Sequence, residues 1–395
     1  AYTGAPIGGA KVQWRVVREV QFPVWWFRRS LGLPPFDRRS QEIAHGVSTT
    51  GADGTFTIRF DAKPDPEAPR ESEPIFRFSI NADVTDSTGE TRSSSRVVML
   101  GYAALVASLT ADDWLSADEP VELRVQTKTI DGEPSAAKGQ VTIFAVEQPD
   151  EIARPALGPF QWDPFGPDVP PEPKDPNPSN PDTWPLGDLV HETDFETDAS
   201  GTTTISAKLP VGLYRVRLAS VDAFEKKVTT ELPITVIDPD ANNLAIKIPE
   251  FFASEKETLE PGERYLGVWG SGYESARVFV EVEHRGKVLQ RYWTNPNVTQ
   301  TRIVQAINER MRGGFHVHTT MVRENRAYTR SQHVKVPWSN KELNLKWERF
   351  VSKLEPGAKE VWTAIVSAPD NERAVVEMVA TLYDASLDAF RSHDW

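Results

Sequence analysis

The chain has 395 residues, with 31 Pro, 24 Gly, 12 Trp, no Cys and a formal net charge of −13. An apolar fraction of 39% supports packed cores in roughly two to four domains, and the acidic balance argues against a nucleic-acid partner. The lack of cysteine removes disulfides, thiolate metal sites, cysteine nucleophiles and internal thioesters. The longest uncharged run, residues 97–111, is shorter than the stretch of about 20 apolar residues that a membrane span needs.

In chain order, apolar and polar residues alternate with period two over residues 11–17, 55–60, 76–80, 121–125, 141–146, 213–218 and 276–282. Each run carries β-branched or aromatic side chains on one face and is bounded by Gly, Asp, Asn or Pro, which predicts strands. Only residues 299–312 read as a helix, with Ile303, Ile307 and Met311 four apart. The expected fold class is all-β, with tandem antiparallel β-sandwiches and one short helix. Inward positions are expected at Trp14, Phe56 and Phe78, and at Leu123, Val125, Tyr214 and Val216.

Repeats set the organisation. Acidic-Pro turns recur at Pro120, Pro261 and Pro356, and Asp-Gly turns precede strands at 51–56 and 198–203. The second Pro interval exceeds one sandwich by about the length of residues 148–190, a stretch that holds 12 of the 31 prolines. The expected units are 1–100, 101–241 with the Pro-rich insert 148–190, 242–338 and 339–395. The first is expected to lack its opening strand and the last its closing strands, as in a piece of a longer protein.

Three strings, at residues 82–93, 182–187 and 380–390, resemble segments of bacterial alpha-2-macroglobulin family proteins. The resemblance implies fibronectin-like macroglobulin domains of about 100 residues. It also implies a scaffold role in an endopeptidase inhibitor of the exported, periplasmic or envelope class. Its partners would be proteases, met through the full-length parent, and neighbouring domains of the same chain. An anchor in parts preceding this chain is compatible with it. The family's thioester needs a Cys, and there is none. No cofactor, metal or catalytic residue is expected, and the alternative is a modular adhesion or carbohydrate-binding array.

Two segments are candidate sites. The cluster Phe22, Trp25, Trp26 and Phe27, flanked by arginines, is too apolar to leave exposed and predicts an interdomain or partner contact. The insert is either a protease-sensitive bait or a surface loop anchored by Phe160, Trp162, Phe165 and Trp184. Its sensitive part is expected around Pro167, Asp168, Lys174, Asn180 and Pro181. His316, His318 and His333 lack an evident completing carboxylate and read as a polar strand face. Asp112-Asp113 and Asp238-Pro239-Asp240 read as junction turns. Gly270-Ser271-Gly272 lacks a nucleophile elbow. Asn297-Val298-Thr299 matches a glycosylation acceptor, expected to be unmodified.

Overall fold

A computed structural model describes residues 6–23, 40–154, 179–351, 355 and 357–367. Segments that alternate with period two have one face to bury and no helical stripe, so they become strands. β1 (Lys11–Gln21), β2 (Gln41–Thr49), β3 (Ile75–Thr85) and β4 (Thr91–Gly101) form an antiparallel sheet in the order β2-β1-β3-β4. There follow β5 (Leu105–Thr110), β6 (Val121–Thr129), β7 (Lys138–Val146), β8 (Leu186–Glu196), β9 (Thr202–Ala207), β10 (Gly212–Val221) and β11 (Lys227–Val236). They build the sheets β5-β6-β9 and β11-β10-β7-β8. The pattern repeats in β12 (Phe251–Ser254), β13 (Arg264–Gly270), β14 (Phe279–His284), β15 (Lys287–Trp293), β16 (Gln300–Ala306), β17 (Phe315–Arg323) and β18 (Arg326–Val334). Their sheets are β12-β13-β16 and β15-β14-β17-β18. β19 (Asn344–Arg349) and β20 (Thr363–Ser367) pair as a two-stranded sheet.

Strand for strand, β5–β11 and β12–β18 have the same topology, and β2-β1-β3-β4 has the order of β8-β7-β10-β11. Each of the two seven-stranded sets closes over its own core. Leu123, Val125, Ile143, Val216 and Leu218 from facing sheets fill the first. Tyr265, Trp269, Val280, Ile303, Phe315 and Val317 fill the second. The Tyr214 hydroxyl donates to the Pro210 carbonyl at 2.8 Å, the corner bond that fixes the start of such a strand in sandwich folds. The Asp turns also repeat. Asp53 and Asp198 accept the backbone N–H two residues ahead, and Gly54 and Gly201 take positive φ of 76° and 70°. A Cβ on Gly201 would lie 2.1 Å from the Thr127 carbonyl oxygen, so only glycine fits there.

Several expectations are corrected. The helix expected over 299–312 is instead β16 followed by a 3-10 turn at Glu309–Met311. Thr299, Thr301, Ile303 and Val304 are β-branched, and β13 offers this stretch a free edge from Arg264 to Gly270. Ile303, Ile307 and Met311 are all buried, so the spacing of four marked the core but not the conformation. Residues 55–60 form no strand, and Phe56 is 36% exposed. Trp14 is only half-buried, while Phe78, Leu123, Val125, Tyr214 and Val216 point inward. The expected insert ends too late, because Leu186 to Val190 already belong to β8.

Candidate functional site

The end of the Pro-rich stretch is built into a junction. Asn180 caps the 3-10 turn Pro181–Thr183 by accepting the Asp182 N–H at 3.1 Å, and the Pro181 carbonyl takes a bond from Arg215 Nη2. Trp184 then turns inward to 6% exposure against Val146 and Leu213 of one sandwich and Leu244 and Ile246 of the segment leading to the next. Around it, Glu147 N–H bonds the Pro185 carbonyl at 2.9 Å and Lys247 N–H bonds Gln148 Oε1 at 2.7 Å. Gln300 Nε2 donates to the Asp238 and Ala241 carbonyls at 2.6 and 3.1 Å, tying the connecting segment to β16. Apolar burial with satisfied backbone groups makes this junction a packed one.

Beside it lies a cleft of about 1740 Å³, bordered by β5 and β11 on one side and by β12 and the end of β18 on the other. Trp114, Phe251 and Phe252 contribute apolar lining, and Phe22 and Pro23, just past β1, lie at its wall. The charged lining is one-sided. Asp112, Asp113, Asp118, Glu119, Glu255 and Glu257 face Lys256 and Arg330. Glu231 also lines it, but pairs with Arg217 at 2.7 Å. β5 and β12 are outer strands of their sheets, so among the described residues their outer edges have no ladder partner.

The candidate residues fall as follows. Phe22 borders the cleft, whereas Trp25, Trp26 and Phe27 lie outside the described residues. Pro167, Asp168 and Lys174 also lie outside them, as do Phe160, Trp162 and Phe165. Asn180 and Pro181 belong to the junction turn. His316 and His333 are cross-strand partners with ring centroids 4.8 Å apart, and His318 stacks on His316 at 5.7 Å. β14 brings Glu283 to 3.6 Å from His318 Nε2. Among the described residues, no three His, Asp or Glu groups converge to hold a metal ion. The Ser271 hydroxyl is fully buried and donates to the Pro249 carbonyl at 2.8 Å. Asn297 is exposed, but Thr299 is buried to 2% and bonded to Asn243. Of the acid pairs, Asp112 and Asp113 line the cleft, while Asp240 pairs with Arg302. The sequence had marked Asp118-Glu119-Pro120 only as a repeated turn, and its acids are cleft residues.

Glu250, at the foot of β12, is the junction's titratable group. Its side chain is 9% exposed, and burial holds its carboxyl above the ordinary range, partly opposed by Arg330 at 3.4 Å. A raised acid pKa means the folded chain binds this proton more tightly than the unfolded chain does. The stabilisation is therefore complete below the unfolded value of 4.5 and is lost as pH rises through the folded value. Glu250→Gln is expected to melt with wild type near about pH 4 and above wild type near about pH 7, read by calorimetry. A variant that melts lower at neutral pH would show that the Arg330 pair outweighs desolvation.

No family model matches the chain, and no curated protein matches it. Among solved structures it is similar to alpha-2-macroglobulin from Salmonella reacted with methylamine, at 14% identity and TM-score 0.34. It is also similar to the native conformation of alpha-2-macroglobulin from E. coli, at 12% identity and TM-score 0.32. In both, the match covers 92% of this chain and 23% of the other. A tetra-tandem repeat from the extending region of a large adhesion protein aligns at 13% identity and TM-score 0.20, covering 93% of this chain and 82% of the other. The chain thus spans about a quarter of the length of the macroglobulins it is similar to.

Proposed function

We propose that the chain is a non-catalytic scaffold segment of an alpha-2-macroglobulin-like endopeptidase inhibitor, acting on proteases at the bacterial envelope. The observation that carries this reading is the repeated strand topology with a long Pro-rich insertion between β7 and β8 of one sandwich. With it go the three strings that resemble the family. The units in this reading are 1–100, 101–241, 242–338 and 339–395. The scaffold positions its neighbours and performs no bond chemistry of its own. The alternative, an adhesion or carbohydrate-binding array, draws on the same tandem sandwiches, since one fold serves many functions.

Limited proteolysis distinguishes the two. Cleavage is expected between Pro167 and Pro181, leaving both described sandwich cores folded, because their core residues lie outside that interval. In the parent protein, loss of the protease's activity on large protein substrates after this cut would make the insert a bait within an inhibitor and overturn the surface-loop reading of the insert. Cleavage with protease activity unchanged, together with binding to glycan or cell surfaces, would favour the array.

A further inference from the structure

We propose that the β19–β20 pair of one copy docks on the first unit of a second copy and completes its sandwich, so that chains join head to tail. The inference stands independently of the protease reading. The two seven-stranded sets define what a complete unit needs. A three-stranded sheet, β5-β6-β9 or β12-β13-β16, faces a four-stranded one. In the first unit β1, β2, β3 and β4 hold the places of β7, β8, β10 and β11, and residues 55–60 follow an Asp turn as β9 does. Among the described residues, nothing in that unit holds the places of β5 and β6.

The gap is felt at residues 55–60. β9 lies against β6, with Leu123 opposite Ile205 and Val121 opposite Ala207, and both β9 residues are buried. Counted from Gly54 and Gly201, Ile58 and Phe60 hold those same two positions, yet both are only half-buried. The backbone of residues 56–60 makes no ladder bond among the described residues. An unpaired edge beside a partly covered apolar face recruits a strand.

β19 and β20 are the matching piece. They flank the sequence Pro356-Gly357 as β12 and β13 flank Pro261-Gly262, and both pairs are antiparallel. Gly262 and Gly357 also share positive φ, at 97° and 82°. Among the described residues β19 and β20 pair only with each other, so β20 has a free edge where β6 and β13 hold β9 and β16. Leu345 lies opposite Val366 and Trp347 opposite Ala364, which places all four on one face. Leu345 and Trp347 are 51% and 43% exposed, whereas Leu105, Ala107 and Leu109 of β5 are buried in their core. What one end has unpaired is what the other end has to offer. Because donor and acceptor are different surfaces, the contact is heterologous and growth continues past a pair of chains.

The lack of native cysteine makes the test direct. Full chains carrying Thr57→Cys or Arg59→Cys would be mixed with chains carrying Thr363→Cys or Ile365→Cys and oxidised mildly, with exposed Asn297→Cys as the control partner. These positions alternate with the apolar ones, so they share the outer face of the joined sheet. The expected result is a mixed disulfide from at least one pairing, well above the control, with a yield that rises with concentration. Yields no higher than the control would overturn the proposal. So would chains carrying both cysteines that link within one molecule at a yield independent of concentration, since the unit would then be closed by its own chain. Sedimentation gives a second reading. The average mass of the wild-type chain should grow with concentration beyond that of a dimer. Val366→Asp should abolish that growth while the two seven-stranded sandwiches melt unchanged. A wild-type chain that stays monomeric, or a Val366→Asp chain that associates as before, would also overturn it.

Discussion

Trp184→Ala is expected to lower stability by about 3–5 kcal/mol and to uncouple two sandwiches that otherwise melt together. Trp184 is 6% exposed and shares one buried cluster with Val146 and Leu213 of one sandwich and Leu244 and Ile246 of the connecting segment. Removing it loses transfer free energy and leaves a cavity whose walls belong to two units, so collapse from either side separates the other. Calorimetry should show one transition resolving into two, with the tryptic cut near Lys247 accelerated. A single transition shifted by less than about 1 kcal/mol would mean that Trp184 packs on one sandwich only.

Asp65→Ala is expected to cost about 3–5 kcal/mol in the first unit, because it leaves a buried guanidinium without its carboxylate. Arg18 is 4% exposed and donates to Asp65 Oδ2 at 2.8 Å, Gln41 Oε1 at 2.7 Å, and the Lys63 and Pro64 carbonyls at 3.1 and 2.8 Å. These bonds pin the irregular segment after Phe60 onto β1, where Phe60 and Ala68 cover Val16, Phe76 and Phe78. Arg18→Met should be milder than Asp65→Ala, since it removes the charge along with its partners. Urea denaturation followed by fluorescence measures both. The opposite ranking would show that the backbone bonds of Arg18, rather than its charge pairing, hold the segment.

Much of the fold was legible because its signal is local. Alternation such as Val121-Glu122-Leu123-Arg124-Val125 assigns a face to every side chain, and those three apolar residues are buried to within 1% exposure. In residues 213–218 the alternation places Tyr214, Val216 and Leu218 inward, but Leu213 and Arg215 on the other face are buried as well. The repeated Asp-Gly turns were legible too, since a carboxylate that caps its own backbone and a glycine at positive φ need no distant partner.

Other features depended on partners far along the chain. Residues 299–312 satisfy a helical spacing and a strand pattern at once, and β13, more than 30 residues earlier, settled the matter by offering an edge to pair with. Residues 55–60 alternate as well as any strand, but without a ladder partner Phe56 stays exposed. Glu283 meets His318 only because β14 pairs with β17, a register that no spacing in the sequence encodes. Trp184 was legible as an anchor, but its second set of contacts comes from the connecting segment around Leu244. The acidic cleft likewise gathers Asp113, Glu119 and Glu255 from separate strands and turns. The sequence by itself determined which faces are apolar and where the chain turns, because both follow from side chains a few residues apart. The tertiary structure alone decided which edges pair and which charges converge, because those depend on long-range closure.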